Sequence, residues 1–161
     1  MALDACKVAD YVVLVFSSTV EVDPWGDTLL RTLQAQGLPD VVSVLSPNEN
    51  LDSKSRTATL KSLLSFIQYF VPSQTRVFDL HITSDRLNAL RALSEGKPGE
   101  VRWREDRTWI LGESSEWDSG TLKVTGVVRG APLSANRLVH IPGFGDFQIE
   151  KVRMSLFSDG R

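Results

Sequence analysis

Cysteine is nearly absent from this chain: Cys6 is the single one among 161 residues. No internal disulfide can form, and a cysteine-based zinc site is excluded. Such usage fits a reducing, intracellular compartment. Histidine is as scarce, with His81 and His140 only and no HxxxH or HxxE spacing around either, so a histidine-based metal centre is not expected. Long apolar runs are missing too. Tyr11 to Phe16 falls far short of the ~20 residues a membrane span requires, and no export signal is read at the N-terminus. Most telling is the lack of a phosphate-cradling glycine loop: neither GxxxxGK[ST] nor a GxGxxG opening a helix occurs. The close pair Gly143-Phe144-Gly145 sits between strand-like runs and reads as turn and bulge glycines.

What is present is an ordinary globular composition, 42% hydrophobic and 24% charged, with room for one domain or two small ones. A net charge of −2 argues against a general polyanion binder, but it leaves room for a local basic patch. The part before Gly96 leans acidic. The part after it is balanced and carries a local basic cluster.

The first part alternates helix and strand signals. Ala2 to Ala9 has helical spacing and runs into Tyr11–Phe16, an apolar, β-branched run expected to be buried on both faces of a parallel sheet. Asp23-Pro24 reads as N-cap and first helical residue, Leu29, Leu30 and Leu33 as the buried stripe, and Gly37 as the stop. Val41–Leu45 is a second strand. Leu60, Leu63, Leu64, Ile67 and Phe70 mark the strongest helix, capped by Asp52 or Ser53 and closed by Pro72. Arg76–Leu80 is a third strand. Thr83 or Ser84 is expected to cap a last helix packed through Leu87, Leu90 and Leu93. The order predicts right-handed βαβ units on a parallel sheet over residues 1–95, a linker over 96–100 at Gly96-Lys97-Pro98-Gly99, and a β-rich domain over 101–161.

That second domain should open with strands at Arg102–Arg104 and Arg107–Leu111, pass a polar loop at Ser114–Ser119, and continue as a three-stranded antiparallel meander. Its first meander strand alternates, with Leu122, Val124, Gly126 and Val128 on one face and Lys123, Thr125 and Arg129 on the other.

Few residues carry chemistry. Asp79, His81 and Ser84 form a trio of the kind nucleophilic catalysis uses, but no strained nucleophile elbow accompanies them. Asn48, after the second strand, stands where a nucleotide-binding sheet places base-reading side chains, and it equally suits a plain turn. Glu105, Asp106, Glu116 and Asp118 read as solvated turn carboxylates. The basic cluster is the strongest candidate: Arg102, Arg104 and Arg107 interleave with Trp103 and Trp109, and Arg129, Arg137 and Lys151 recur downstream. Guanidinium forks suit RNA phosphates, although a solvated face with local ion pairs would look alike in sequence.

Gly126-Val-Val-Arg-Gly130, Asn136-Arg-Leu-Val-His-Ile141 and Gly143-Phe-Gly-Asp-Phe147, together with Ala2-Leu-Asp-Ala-Cys-Lys-Val-Ala-Asp10 and Gln36-Gly-Leu-Pro39, closely resemble ribosome-assembly factors related to the translational GTPases. The wording is more similar to the GTPase-like factors whose loss accumulates twenty-S rRNA than to the nucleolar processome GTPase. The resemblance implies half of a GTPase-like α/β domain lacking its phosphate-binding part, with one sheet edge bare, followed by a translation-factor-type β-barrel. It implies a small (40S) subunit biogenesis role without GTPase activity, no bound cofactor, and nuclear, nucleolar and late cytoplasmic location. Its implied partners are the pre-40S particle, its pre-rRNA and ribosomal proteins, bound as a monomer with no membrane involved. Ser46-Pro47-Asn48-Glu49 departs from the guanine-reading [NT]KxD element of active members. An active GTPase and a barrel that binds protein without touching RNA remain the alternatives.

Overall fold

The computed structural model describes residues 2–47, 51–99 and 102–154. Their backbone divides into two compact units, Ala2–Trp103 and the part from Arg104 onward.

The first unit runs α1 (Ala2–Val8), β1 (Tyr11–Phe16), α2 (Pro24–Gln36), β2 (Asp40–Leu45), α3 (Ser53–Phe70), β3 (Val77–Asp79) and α4 (Thr83–Ser94). The sheet is parallel in the order β1-β2-β3, with Val13 beside Val42 and Leu45 beside Asp79. Local chemistry starts the helices as expected. The Asp23 carboxylate accepts from the Gly26 amide at 2.6 Å with Pro24 at the first helical position, and Asp52 accepts from the amides of Lys54 and Ser55.

Two cores flank the sheet. Phe16, Leu30, Leu45, Ile67, Phe70 and Val77 join α2 and α3 to one side. Val42, Val44 and Ala89, with Tyr11, Phe78 and Leu93 at the margin, join α4 to the other. Gln74 braces the central strand, accepting from the Ser43 hydroxyl at 2.9 Å and donating to the Val41 carbonyl at 2.7 Å.

Three expectations for this unit are corrected. β1 is not buried on both faces: Val13 and Val15 are exposed, because α4 lies over β2 and β3, and the outer edge of β1 pairs with no other described strand. In α4, Leu87 and Leu90 face solvent, and the inward side is Asp85 and Ala89 with Ala92 and Leu93. The small Ala89 lets the helix sit close to β2, which turns the two larger leucines outward. The cap of α4 is Ile82, without a side-chain hydrogen bond, rather than Thr83 or Ser84.

The second unit is built from two antiparallel hairpins, β4 (Thr108–Asp118) with β5 (Thr121–Gly130), and β6 (Leu138–Ile141) with β7 (Gly145–Gln148). They follow a four-residue helix, α5 (Arg102–Glu105). Arg102 and Arg104 thus lie in a helical turn, not on a strand. Ser114–Asp118 is strand rather than loop. The reversal needs only Ser119 and Gly120, both with positive φ (50° and 88°), the conformation a two-residue hairpin turn demands. This tight turn gives β5 to β4, so the expected three-stranded meander does not form; β5 does not pair with β6. The described strands make two separate ladders and no closed barrel.

A bulge between Gly112 and Ser114 shifts the register. Its effect is to put Ile110, Val128, Val124, Leu122 and Trp117 on one face, leaving Lys123, Glu116, Thr125 and Asp118 on the other.

Candidate functional site

In parallel α/β sheets, ligands approach the carboxyl ends of the strands. Here those ends are Phe16, Leu45 and Asp79. The loop after β1 folds on its own hydroxyls: Ser17 Oγ accepts from the amides of Thr19 and Val20 at 3.1 and 3.3 Å. After β2, the Ser46 amide donates to the Phe16 carbonyl. Asn48, the base-reading candidate, lies outside the described residues.

The end of β3 is occupied by charge. Asp79 is fully buried and its Oδ2 accepts from Arg56 Nη1 at 2.8 Å, while Oδ1 accepts from the His81 amide at 2.9 Å. Arg56 also donates to the Leu51 carbonyl at 3.1 Å. Asp85 completes the arrangement: Oδ2 accepts from the Asp79 amide at 3.0 Å and Oδ1 from Arg76. Burying a carboxylate is costly unless its oxygens are paired and hydrogen-bonded, and these partners meet that need. The Asp79–His81–Ser84 trio is therefore not a catalytic arrangement. Asp79 is committed to Arg56, and its link to His81 runs through the backbone amide rather than the imidazole. Sequence reading missed Arg56, Arg76 and Asp85. An acid in the first turn of α4 was a visible signal for Asp85, but its partners lie on β3 and its flank.

The basic candidates of the second unit divide. Arg104 and Arg129 are half-buried, and their Nε atoms are shielded from solvent along with the indole nitrogen of Trp109, which stands opposite Arg129 in the ladder. Arg107, Arg137 and Lys151 are exposed. The side chain of Arg102 lies outside the described part.

The glycines of the 126–130 motif explain its spacing. A Cβ on Gly126 would stand 2.1 Å from the Leu111 carbonyl oxygen, at the bulge. One on Gly130, whose φ is 73°, would meet the carbonyl oxygens of Arg104 and Arg107 at 2.2 and 2.3 Å. Next to it the Ala131 amide donates to the Arg107 carbonyl at 3.0 Å. The motif docks the end of β5 onto the turn after α5.

Other polar groups are local. Asp118 pairs with Lys123, and that ammonium, with the Ser119 hydroxyl, holds its carboxyl below the usual range. His140 Nδ1 stands 2.8 Å from Asp146 across β6 and β7, both exposed. Glu150 accepts from the Thr121 hydroxyl at 3.3 Å. Among the described residues no group of three or more His, Cys, Asp or Glu could hold a metal, and no helix is long and apolar enough to cross a membrane.

Two family models match successive parts of the chain. Residues 1–95 match the family model described as the Tsr1 G-like domain, and residues 97–155 match the AARP2CN (NUC121) domain. Over 93% of its length the chain is 43% identical to the ribosome biogenesis protein tsr1 of Schizosaccharomyces pombe. It is 33% identical over 94% to the pre-rRNA-processing protein TSR1 homologue of Drosophila melanogaster, and 31% over 94% to that of Homo sapiens. The chain spans 19% of the first of these relatives and 20% of each of the other two. With a G-like model matching more than half of its residues and an AARP2CN model matching most of the rest, the chain belongs to the Tsr1 family of pre-rRNA-processing, ribosome-biogenesis proteins.

Proposed function

We propose that this chain serves maturation of the small ribosomal subunit as a non-catalytic, GTPase-like placeholder on the pre-40S particle. The observation that carries the reading is the Arg56–Asp79 pair at the carboxyl end of β3. Asp79 and Arg56 neutralise each other inside the fold, which leaves neither to meet a ligand at that end. Residues 1–95 then act as half of a GTPase-like domain without nucleotide, 96–100 as linker, and 101–161 as strands of a translation-factor-type barrel. The apolar face of Ile110, Trp117, Leu122, Val124 and Val128 supports the barrel, since it is the kind of surface a barrel turns inward. Arg107, Arg137 and Lys151 contact rRNA phosphate or ribosomal protein, with Arg104 and Arg129 shaping the surface behind them. The protein works as a monomer in the nucleus and nucleolus, and with late particles in the cytoplasm.

Titration of the full-length protein with a fluorescent GTP analogue tests the non-catalytic part. No saturable binding is expected, and micromolar affinity would move the reading to an active GTPase.

A further inference from the structure

We propose that the loop between β1 and α2, with the first turn of α2, is a docking surface for a basic protein segment anchored by an apolar side chain. Trp25 is 70% exposed and Val20 71% exposed, with Val22 also at the surface. These are local neighbours: the space a Cβ on Gly26 would need is taken by Val22 Cγ1 at 2.9 Å, so Val22 lies over the turn that carries Trp25. The fold does not need the indole there. Asp23 and Pro24 start the helix, and Leu30 and Leu33 hold it to the core. An exposed tryptophan flanked by valines is the composition of an interface anchor.

Charge selects the occupant. From Ser17 to Leu30 the chain contains no lysine or arginine, and it contains Glu21, Asp23 and Asp27. Glu21 stands between the two valines, Asp23 caps the helix, and Asp27 is met by Arg31 at 2.7 Å. A nucleic acid would be repelled here, and a second copy of the chain would bring like charges together. A protein segment presenting lysine or arginine beside an apolar side chain matches both features. This surface lies wholly in the first unit and does not depend on phosphate binding by the second.

The test is fluorescence anisotropy of a labelled peptide alternating lysine and leucine against the whole chain, beside a glutamate–leucine peptide and a single-stranded RNA. The lysine–leucine peptide alone should bind, more weakly as salt rises. Trp25→Ala should lower its affinity about tenfold and Glu21→Lys several-fold, as expected for an anchor and a rim charge. Both positions are exposed, so unchanged thermal melts should accompany the loss. The proposal fails if the glutamate peptide or the RNA binds equally well, if the lysine peptide does not bind, or if both variants bind it as the parent does. It also fails if Trp25→Ala abolishes only self-association.

Discussion

Arg56 Nη1 and Asp79 Oδ2 stand 2.8 Å apart at the carboxyl end of a parallel sheet, with Asp79 wholly buried and the arginine largely so. The pair joins the first turn of α3 to the end of β3, and through Asp85 to α4. Removing either partner leaves a buried charge without its counter-ion, which costs about 3–5 kcal/mol. Arg56→Ala and Asp79→Ala should each lower the urea midpoint by that order. A double substitution to packed apolar residues should recover much of the loss, and denaturation curves of the three variants check this.

The two motif glycines should be intolerant for different reasons. Gly126→Ala forces a Cβ against the Leu111 carbonyl, and Gly130→Ala adds a left-handed backbone to a clash with two carbonyls. Each should cost about 1–3 kcal/mol. Gly120, with φ 88° and open space around its Cβ position, should accept Asn with little change in melting temperature.

Acid should weaken the first unit through the cap of α3. The Ser55 hydroxyl and amide hold the Asp52 carboxyl below its ordinary value of 3.8. Its folded pKa is depressed, so its contribution is present above the unfolded value and is lost as pH falls through the folded one. The melting temperature should drop as pH is lowered below about 4. Asp52→Asn keeps a good cap without the titration, and melts across pH should show a shallower acid dependence for it.

Charge reversal should separate surface from scaffold. Arg107→Glu, Arg137→Glu and Lys151→Glu should leave the melting temperature near the parent's and reduce binding to an RNA fragment of the small subunit. The salt slope should fall by about one for each phosphate that is no longer neutralised. Arg104→Glu and Arg129→Glu should lower the melting temperature instead, since their Nε atoms are shielded from solvent. Melts and filter-binding titrations over a salt series distinguish the two groups.

Much of the first unit was legible because its signals are local. Asp23-Pro24, Asp52 and the leucine spacing of α3 act within one or two helical turns, and the fold uses them directly. Reading failed where packing partners are distant. Leu87 and Leu90 have a buried residue's hydrophobicity and spacing, yet Ala89 sets the inward face. Ser114–Asp118 has a loop's composition, yet cross-strand pairs with Thr121–Thr125 hold it extended. In the candidate site, Asp79 was noticed for the wrong neighbour. His81 is close in sequence, whereas Arg56 is brought to it only by the βαβ crossover.

The sequence by itself determined the order of helices and strands in the first unit, the family, and the want of a phosphate-cradling glycine loop, because these depend on residue type and short spacing. Only the tertiary structure decided that Asp79 is spent on Arg56, that Arg104 and Arg129 are half-buried while Arg107, Arg137 and Lys151 are exposed, and that a bulge gathers Trp117 with Ile110 on one face. Each of these turns on which side chains meet across elements, and burial and charge pairing are properties of that meeting rather than of any residue alone.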